Sequence, residues 1–517
     1  MNVDGSPLRR AQISAFAAEG GPAAVRRVAT TDGQGKWELT ELPAGRFNIT
    51  ASKAGFVTLQ YGQRRPFEPG TPVVVADGQT LEKLDLSLPR GSVITGRITD
   101  EFGEPIGQAQ VQAMRYQYSP DGQRRLATGN SGSTDDRGEF RLYGLMPGEY
   151  YVQAGVRGLV IANGGPAGTG PQPETFASAY YPGTPNVGEA QAVSLNIGQE
   201  ATVQFQLTPA RMTRLTGVVV NSEGQPVAGA SLSMVTPMGD NGWMSSSAGI
   251  TAGDGSFTIT NVASGEHSIS VNPVRNLEGA ESASYAFTAG AETMNVRIQT
   301  GTGAMVTGRV IWEGGSPRPP GQLPLRVMIQ QAAQSIPTLR GTPPTADGSI
   351  NDDGTFRLAG AWGKGFVRVT GIPTGWVLKT VTADNEDITD VTLDLTNRAE
   401  LDNVRIVLTD KQTDLSGQVT DTRGTALKDY VVVLLPSGLK EGLSATRYVR
   451  VVRPDQTGRF SVKGLPGGRY TATALEWIEQ GRQFAPEFQQ ELRKAGRDVT
   501  LKDGETSTLD LRIAQGL

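Results

Sequence analysis

Few residues in this chain could do chemistry, and their spacing does not assemble them. Among 517 residues there is one histidine, His267, and no cysteine. A hydrolytic zinc centre takes two histidines and a glutamate or another full ligand set. A Ser–His or Cys–His nucleophile system would have to be built around that one ring. Carboxylates cluster at Asp135-Asp136, at Asp352-Asp353 and in DNEDITD, where Asp384, Asp387 and Asp390 are the candidate calcium ligands. Calcium takes six or more hard oxygens. Against that reading, the first two pairs stand where a hairpin turn is expected, with Asp capping its own backbone, and the third reads as a solvated loop. The expectation is a non-enzymatic chain with no cofactor.

Binding chemistry is better represented. Tyr61 and Arg64, with Arg65 and Phe67, lie in YGQRRPFEPG; Tyr180 and Tyr181 end a Gly/Pro-rich insertion at 155–183; Trp243 lies in a polar stretch. Exposed aromatics stack on sugar faces or anchor protein partners. The competing reading for each is a loop folded over its own domain.

The elements that must position these residues are written five times. Pairs of rings ten residues apart recur: Trp37 and Phe47, Phe140 and Tyr150, Phe257 and His267, Phe356 and Phe366, Phe460 and Tyr470. Each first ring follows a glycine by two positions, and in GEFRLYGLMPGEYYV a Pro-Gly corner separates the two. That is a strand, a corner and a returning strand, with both rings facing one core. His267 occupies the second-ring position of the third copy, so it reads as a core or rim ring in an aromatic slot. The first rings fall at 37, 140, 257, 356 and 460, at intervals of 99 to 117 residues. That is close to the span of one small β-sandwich.

Each unit opens on an alternating strand built around Thr-Gly or Ser-Gly, at Gly96, Gly217, Gly308 and Gly417. Each closes on another, such as ATVQFQLT (201–208). With 66 glycines and 31 prolines punctuating the chain, the class is all-β. The expected domains are sandwiches at 1–90, 91–212 with the Gly/Pro-rich insertion, 213–302, 303–411 and 412–517. The last carries a short amphipathic helix near 486–495, between Pro486 and Gly496, with Phe488 and Leu492 one turn apart. Linkers of a few residues do not behave as free coils. The arrangement expected is a semi-rigid rod of roughly 150–200 Å.

The formal charge of −4, with 48 basic and 52 acidic residues intermixed, offers no footprint for nucleic acid or an anionic membrane. No apolar run approaches a membrane span, and MNVDGSPLRR lacks the apolar core of a secretory signal.

The Gly-containing first strand, the Gly-x-Pro turn, the Gly-x-aromatic hairpin and the Leu-Pro-x-Gly-x-Tyr corner together resemble the carboxypeptidase regulatory-like domain. That domain is a transthyretin-like, Ig-like sandwich, also similar to collagen-adhesin B-type repeats. The resemblance covers all five units and implies export and surface association, with no established activity. The function expected is structural or adhesive, at the cell surface or outside the cell. The alternative is a glycan- or protein-binding module using the aromatic loops of units one to three. The first unit enters at SPLRRAQISAF, which matches the second strand of the others. Its opening strand is expected either upstream of Met1 or from another chain. The latter is strand donation, which would join copies head to tail into a fibre, with other envelope proteins as alternative partners.

Overall fold

A computed structural model describes residues 5–17, 26–120, 122–156, 175–210, 213–238, 242–272, 281–290, 292–316, 325–331, 348–395, 398–438 and 447–516; for 175, 237, 238, 242–246 and 331 it describes the backbone alone. The described chain is strands and turns, with one α-helix, Pro486–Ala495, which buries Phe488 and Leu492. The all-β sandwich class stands.

From residue 92 onward one plan recurs. The opening strand Ser92–Thr99 lies between Glu139–Leu145, antiparallel, and Glu200–Gln206, parallel. The same three-strand order is built by Thr213–Val220 with Ser256–Val262 and Met294–Gln299. It returns in Ala304–Glu313 with Thr355–Ala361 and Glu400–Thr409, and in Asp414–Thr420 with Arg459–Lys463 and Thr506–Thr508. A second sheet faces each. For residues 109–195 it is Arg124–Ser133, Ala109–Tyr118 and Gly148–Val156, with Ala179–Tyr180 and Val193–Leu195 on the last strand.

The conserved spelling Thr-Gly or Ser-Gly within this chain has a steric cause. A Cβ on Gly96 would stand 2.1 Å from the Val203 carbonyl oxygen and 2.7 Å from the Phe140 ring. On Gly217 it would meet the Val296 oxygen at 2.3 Å and the Phe257 ring at 2.8 Å, and on Gly417 the Leu509 oxygen at 2.0 Å and the Phe460 ring at 2.9 Å. Phe140, Phe257 and Phe460 thus each lie over a glycine notch in their own sheet, where any side chain would displace the parallel neighbour. The second ring closes the corner. Tyr150 Oη donates to the Met146 carbonyl at 2.8 Å, and Tyr470 Oη to that of Pro466 at 2.6 Å. The rings of Phe47, Phe140, Tyr150, Phe257, His267, Phe356, Phe366, Phe460 and Tyr470 are all buried; Trp37 is half-buried.

Residues 5–90 depart from the plan. Among the described residues one sheet is present, Arg26–Thr30, Gln12–Ala17, Gly45–Ser52 and Leu59–Gln60, with Val73–Val75 also on Gly45–Ser52. The segments that elsewhere flank the opening strand, 36–40 and 81–87, form no strand.

The chain is not a rod. A line of sandwiches allows contact between neighbours only, yet the first and last stretches touch. Buried Glu68 pairs with buried Arg453, whose other nitrogen reaches Asp429 at 2.7 Å, and Arg64 meets the same Asp429 at 2.9 Å. The side-chain amide of Gln456 accepts from Val74 N at 3.0 Å and donates to Val74 O at 2.9 Å, as a ladder strand would. The second stretch joins them through Arg115 and Glu479 at 2.8 Å. The physical reason is that these charges lose too much hydration to be buried unless their partners stand opposite.

Candidate functional site

The loop 61–70 is anchored from within. Glu68 Oε2 accepts from the backbone N–H groups of Arg64 (3.2 Å) and Arg65 (3.0 Å), while its other oxygen takes Arg453. Pinned this way, the loop delivers Phe67 to the junction of the first, second and fifth stretches. There the Arg115 guanidinium lies 3.4 Å from the centre of the Phe67 ring. A cleft of about 560 Å³ opens beside this stack. Its walls are Tyr116 and Tyr151, edge to face at 5.2 Å, and Trp477, whose ring carries Arg65 at 5.6 Å. Arg124 lies over Tyr116 at 4.2 Å, and Arg482 lines the far side.

The charge in this cleft is unbalanced. Arg65, Arg115, Arg124 and Arg482 face Glu149 and Glu479, in a chain whose total is −4. Trp477 is 37% exposed, a large apolar ring left in water. Guanidinium groups set among aromatic rings suit a ligand that carries negative charge beside an apolar face.

The residues singled out in the sequence are scattered. Tyr61 is half-buried against the first core, and Arg64 is committed to Asp429. Tyr180 is 3% exposed, its ring inside the fold and its hydroxyl raised to about 12 in pKa by burial. Tyr181 packs edge-on against Phe205 at 6.1 Å. Tyr180 offers no face to a sugar, because the chain after the insertion folds back on its own sandwich, and Tyr181 is half-buried. The backbone of Trp243 pairs with Pro237, and its side chain lies outside the described residues. The loop 61–70 meets Tyr116, Tyr151 and Trp477, none of which the sequence picked out. Tyr116 and Tyr151 lie on the strands Ala109–Tyr118 and Gly148–Val156, and nothing local joins them to residue 477.

The calcium reading of Asp384, Asp387 and Asp390 is corrected. Asp390 is buried, and its oxygens accept from Arg368 (3.0 Å), Arg447 (3.0 Å) and the Tyr448 hydroxyl (2.9 Å). Oxygens saturated by two cations do not add a third. Asp387 Oδ1 caps Thr389 N at 2.9 Å, and Asp384 is an exposed turn residue with φ of 50°. No group of three or more acidic or histidine side chains among the described residues is placed to hold a metal.

Residues 2–89 match the carboxypeptidase regulatory-like domain family, in agreement with the resemblance carried by the repeat. Among solved structures, a streptococcal ancillary pilin is 12% identical, covering 53% of this chain and 81% of that one, with a TM-score of 0.19. The minor pilin GBS52 of Streptococcus agalactiae is 14% identical over 44% of this chain and 99% of that one (TM-score 0.21), and the Bacillus anthracis TIE protein 12% over 81% and 73% (TM-score 0.15). No curated protein matches this chain in sequence.

Proposed function

We propose that this chain is a non-enzymatic structural protein of the cell exterior, a set of five β-sandwiches at 1–90, 91–212, 213–302, 303–411 and 412–517 clamped into a fixed cluster that presents an adhesive face. The observation that carries this reading is the buried contact of Glu68 with Arg453 and Asp429. The charged groups that could have served chemistry serve as joints: this one ties the first unit to the fifth, and the Asp390 knot ties the fourth to the fifth. His267, the one imidazole, closes a corner. No helix among the described residues is long and apolar enough to cross a membrane. Small-angle scattering of the purified chain tests the arrangement. A compact radius of gyration that expands in Arg453→Met supports the clamped cluster, and a rod-like profile in the unmodified chain refutes it.

A second reading, ligand binding, is favoured by the cleft at Trp477. The ligand class it suits is an acidic glycan. Retention of the chain on polygalacturonate but not on neutral dextran, lost in Trp477→Ala and Arg124→Ala, supports that reading; equal retention on both polymers refutes it.

A further inference from the structure

The cleft at Trp477 has a neighbour. Phe67 and Arg115 line both it and a second cleft, of about 630 Å³, between the first and second units. The two adjoin along one corner of the chain: Leu145 and Met146 face the second cleft, while Pro147, Gly148 and Glu149 face the one at Trp477. The Phe67 ring stands on that corner, so close that a Cβ on Gly148 would lie 3.3 Å from it. The charges of the second cleft are Arg10, Lys53 and Arg115, and no aspartate or glutamate lines it. Arg115 is already met by Glu479 at 2.8 Å, which leaves Arg10 and Lys53 facing the cleft with no anion in its walls. Lys53 opens a turn held at the joint between the units, where Phe56 N donates to Lys53 O at 3.0 Å and Gly91 N to Gly55 O at 3.1 Å. Rings accompany the cations here too: the Lys53 ammonium lies 5.9 Å from the centre of the Phe56 ring, and Tyr143, at the cleft, is 50% exposed.

We propose that the two clefts are subsites of one trough and that its occupant is a single strand of a linear acidic polysaccharide, which crosses the Phe67 corner with carboxylates toward Arg10 and Lys53 on one side and toward Arg124 and Arg482 on the other. The inference rests on the acidic-glycan reading of the Trp477 cleft and extends it from a single sugar to a chain. Clefts lined by one sign of charge concentrate ligands of the opposite sign. A compact anion fills one cleft and leaves the cations of the other unmatched. A polymer with a carboxylate on each sugar matches both, and its second contact is made without a second loss of translational freedom. Tyr143 in one cleft and Trp477 in the other offer exposed rings to the apolar faces of sugars, which a polyphosphate strand does not have.

The test titrates the full 517-residue chain with galacturonate oligomers, a trimer and a dodecamer, by calorimetry. The expected result is two trimers bound per chain but one dodecamer, the dodecamer at least about tenfold more tightly. The double variant Arg10→Met with Lys53→Met, and separately Trp477→Ala, should each leave one trimer site and remove the dodecamer's advantage. The trimer site that remains shows that each variant is folded. If neither oligomer binds the parent chain, the acidic-glycan reading falls and this inference with it. If the oligomers bind but the chain takes two dodecamers, or the Arg10 and Lys53 variant binds the dodecamer as tightly as the parent does, the reading survives and the two-cleft trough is overturned. A polyphosphate of matching charge bound as tightly as the dodecamer overturns the assignment of a glycan as the occupant.

Discussion

The imidazole Nε2 of His267 lies 2.7 Å from the carbonyl oxygen of Ala263, the same place four residues back that Tyr150 and Tyr470 fill with their hydroxyls. A carbonyl only accepts, so Nε2 carries the proton, and Nδ1 at 3.0 Å accepts from the Thr236 hydroxyl. The ring is neutral and takes a tyrosine's part. Burial holds its pKa below the ordinary histidine value, with the bond to Ala263 pulling the other way.

Stability of the third unit should therefore fall as pH drops. The unfolded histidine binds a proton near pH 6.5 while the folded ring resists, so the loss begins there and levels off below the folded pKa. His267→Tyr should remove this acid-dependent part and keep the corner bond. Chemical denaturation of the two proteins between pH 8 and pH 5 checks it; identical pH profiles would show that the ring does not titrate with folding.

Phe140 fills a notch over Gly96 and is 4% exposed. Phe140→Ala should cost roughly 3–5 kcal/mol for a ring removed from a packed interior. Gly96→Val should destabilise the same unit, because its side chain has to displace the Val203 backbone. Calorimetric unfolding should show both losses in one transition, with the transitions of other units unchanged.

Replacing Arg453 by Met leaves Glu68 buried without its cation. The expected loss is about 3–5 kcal/mol from the contact between first and fifth units, and the double variant with Glu68→Gln should recover part of it. Denaturant melts read the energies. If the single variant melts like the parent, the ion pair does not hold the units together.

Limited proteolysis should cut near residues 90, 212, 302 and 411 and release stable fragments of about 100 residues or multiples of that. Under native conditions the first and fifth fragments should stay together through Glu68, Arg453 and Asp429 and separate in Arg453→Met. Cutting inside the ring-bearing hairpins would refute the five-unit division.

The sequence by itself determined whatever depends on neighbours along the chain. Strand alternation, the ten-residue ring spacing, the glycines and the helix between Pro486 and Gly496 all follow from local sterics and periodicity, which a single stretch of residues carries complete. His267 was readable as a ring in an aromatic slot because its position in the repeat marks it. The tertiary structure alone decided which surfaces meet. Glu68 and Arg453 are 385 residues apart, and the cleft draws on residues from 65 to 482. A charge carries no local signal of its partner when burial, which makes the pairing obligatory, arises only after the units have packed. The same holds for Tyr180, which the sequence offers as an exposed ring and the fold-back of its own segment buries, and for Asp390, whose ligands are arginines brought from two other strands and loops.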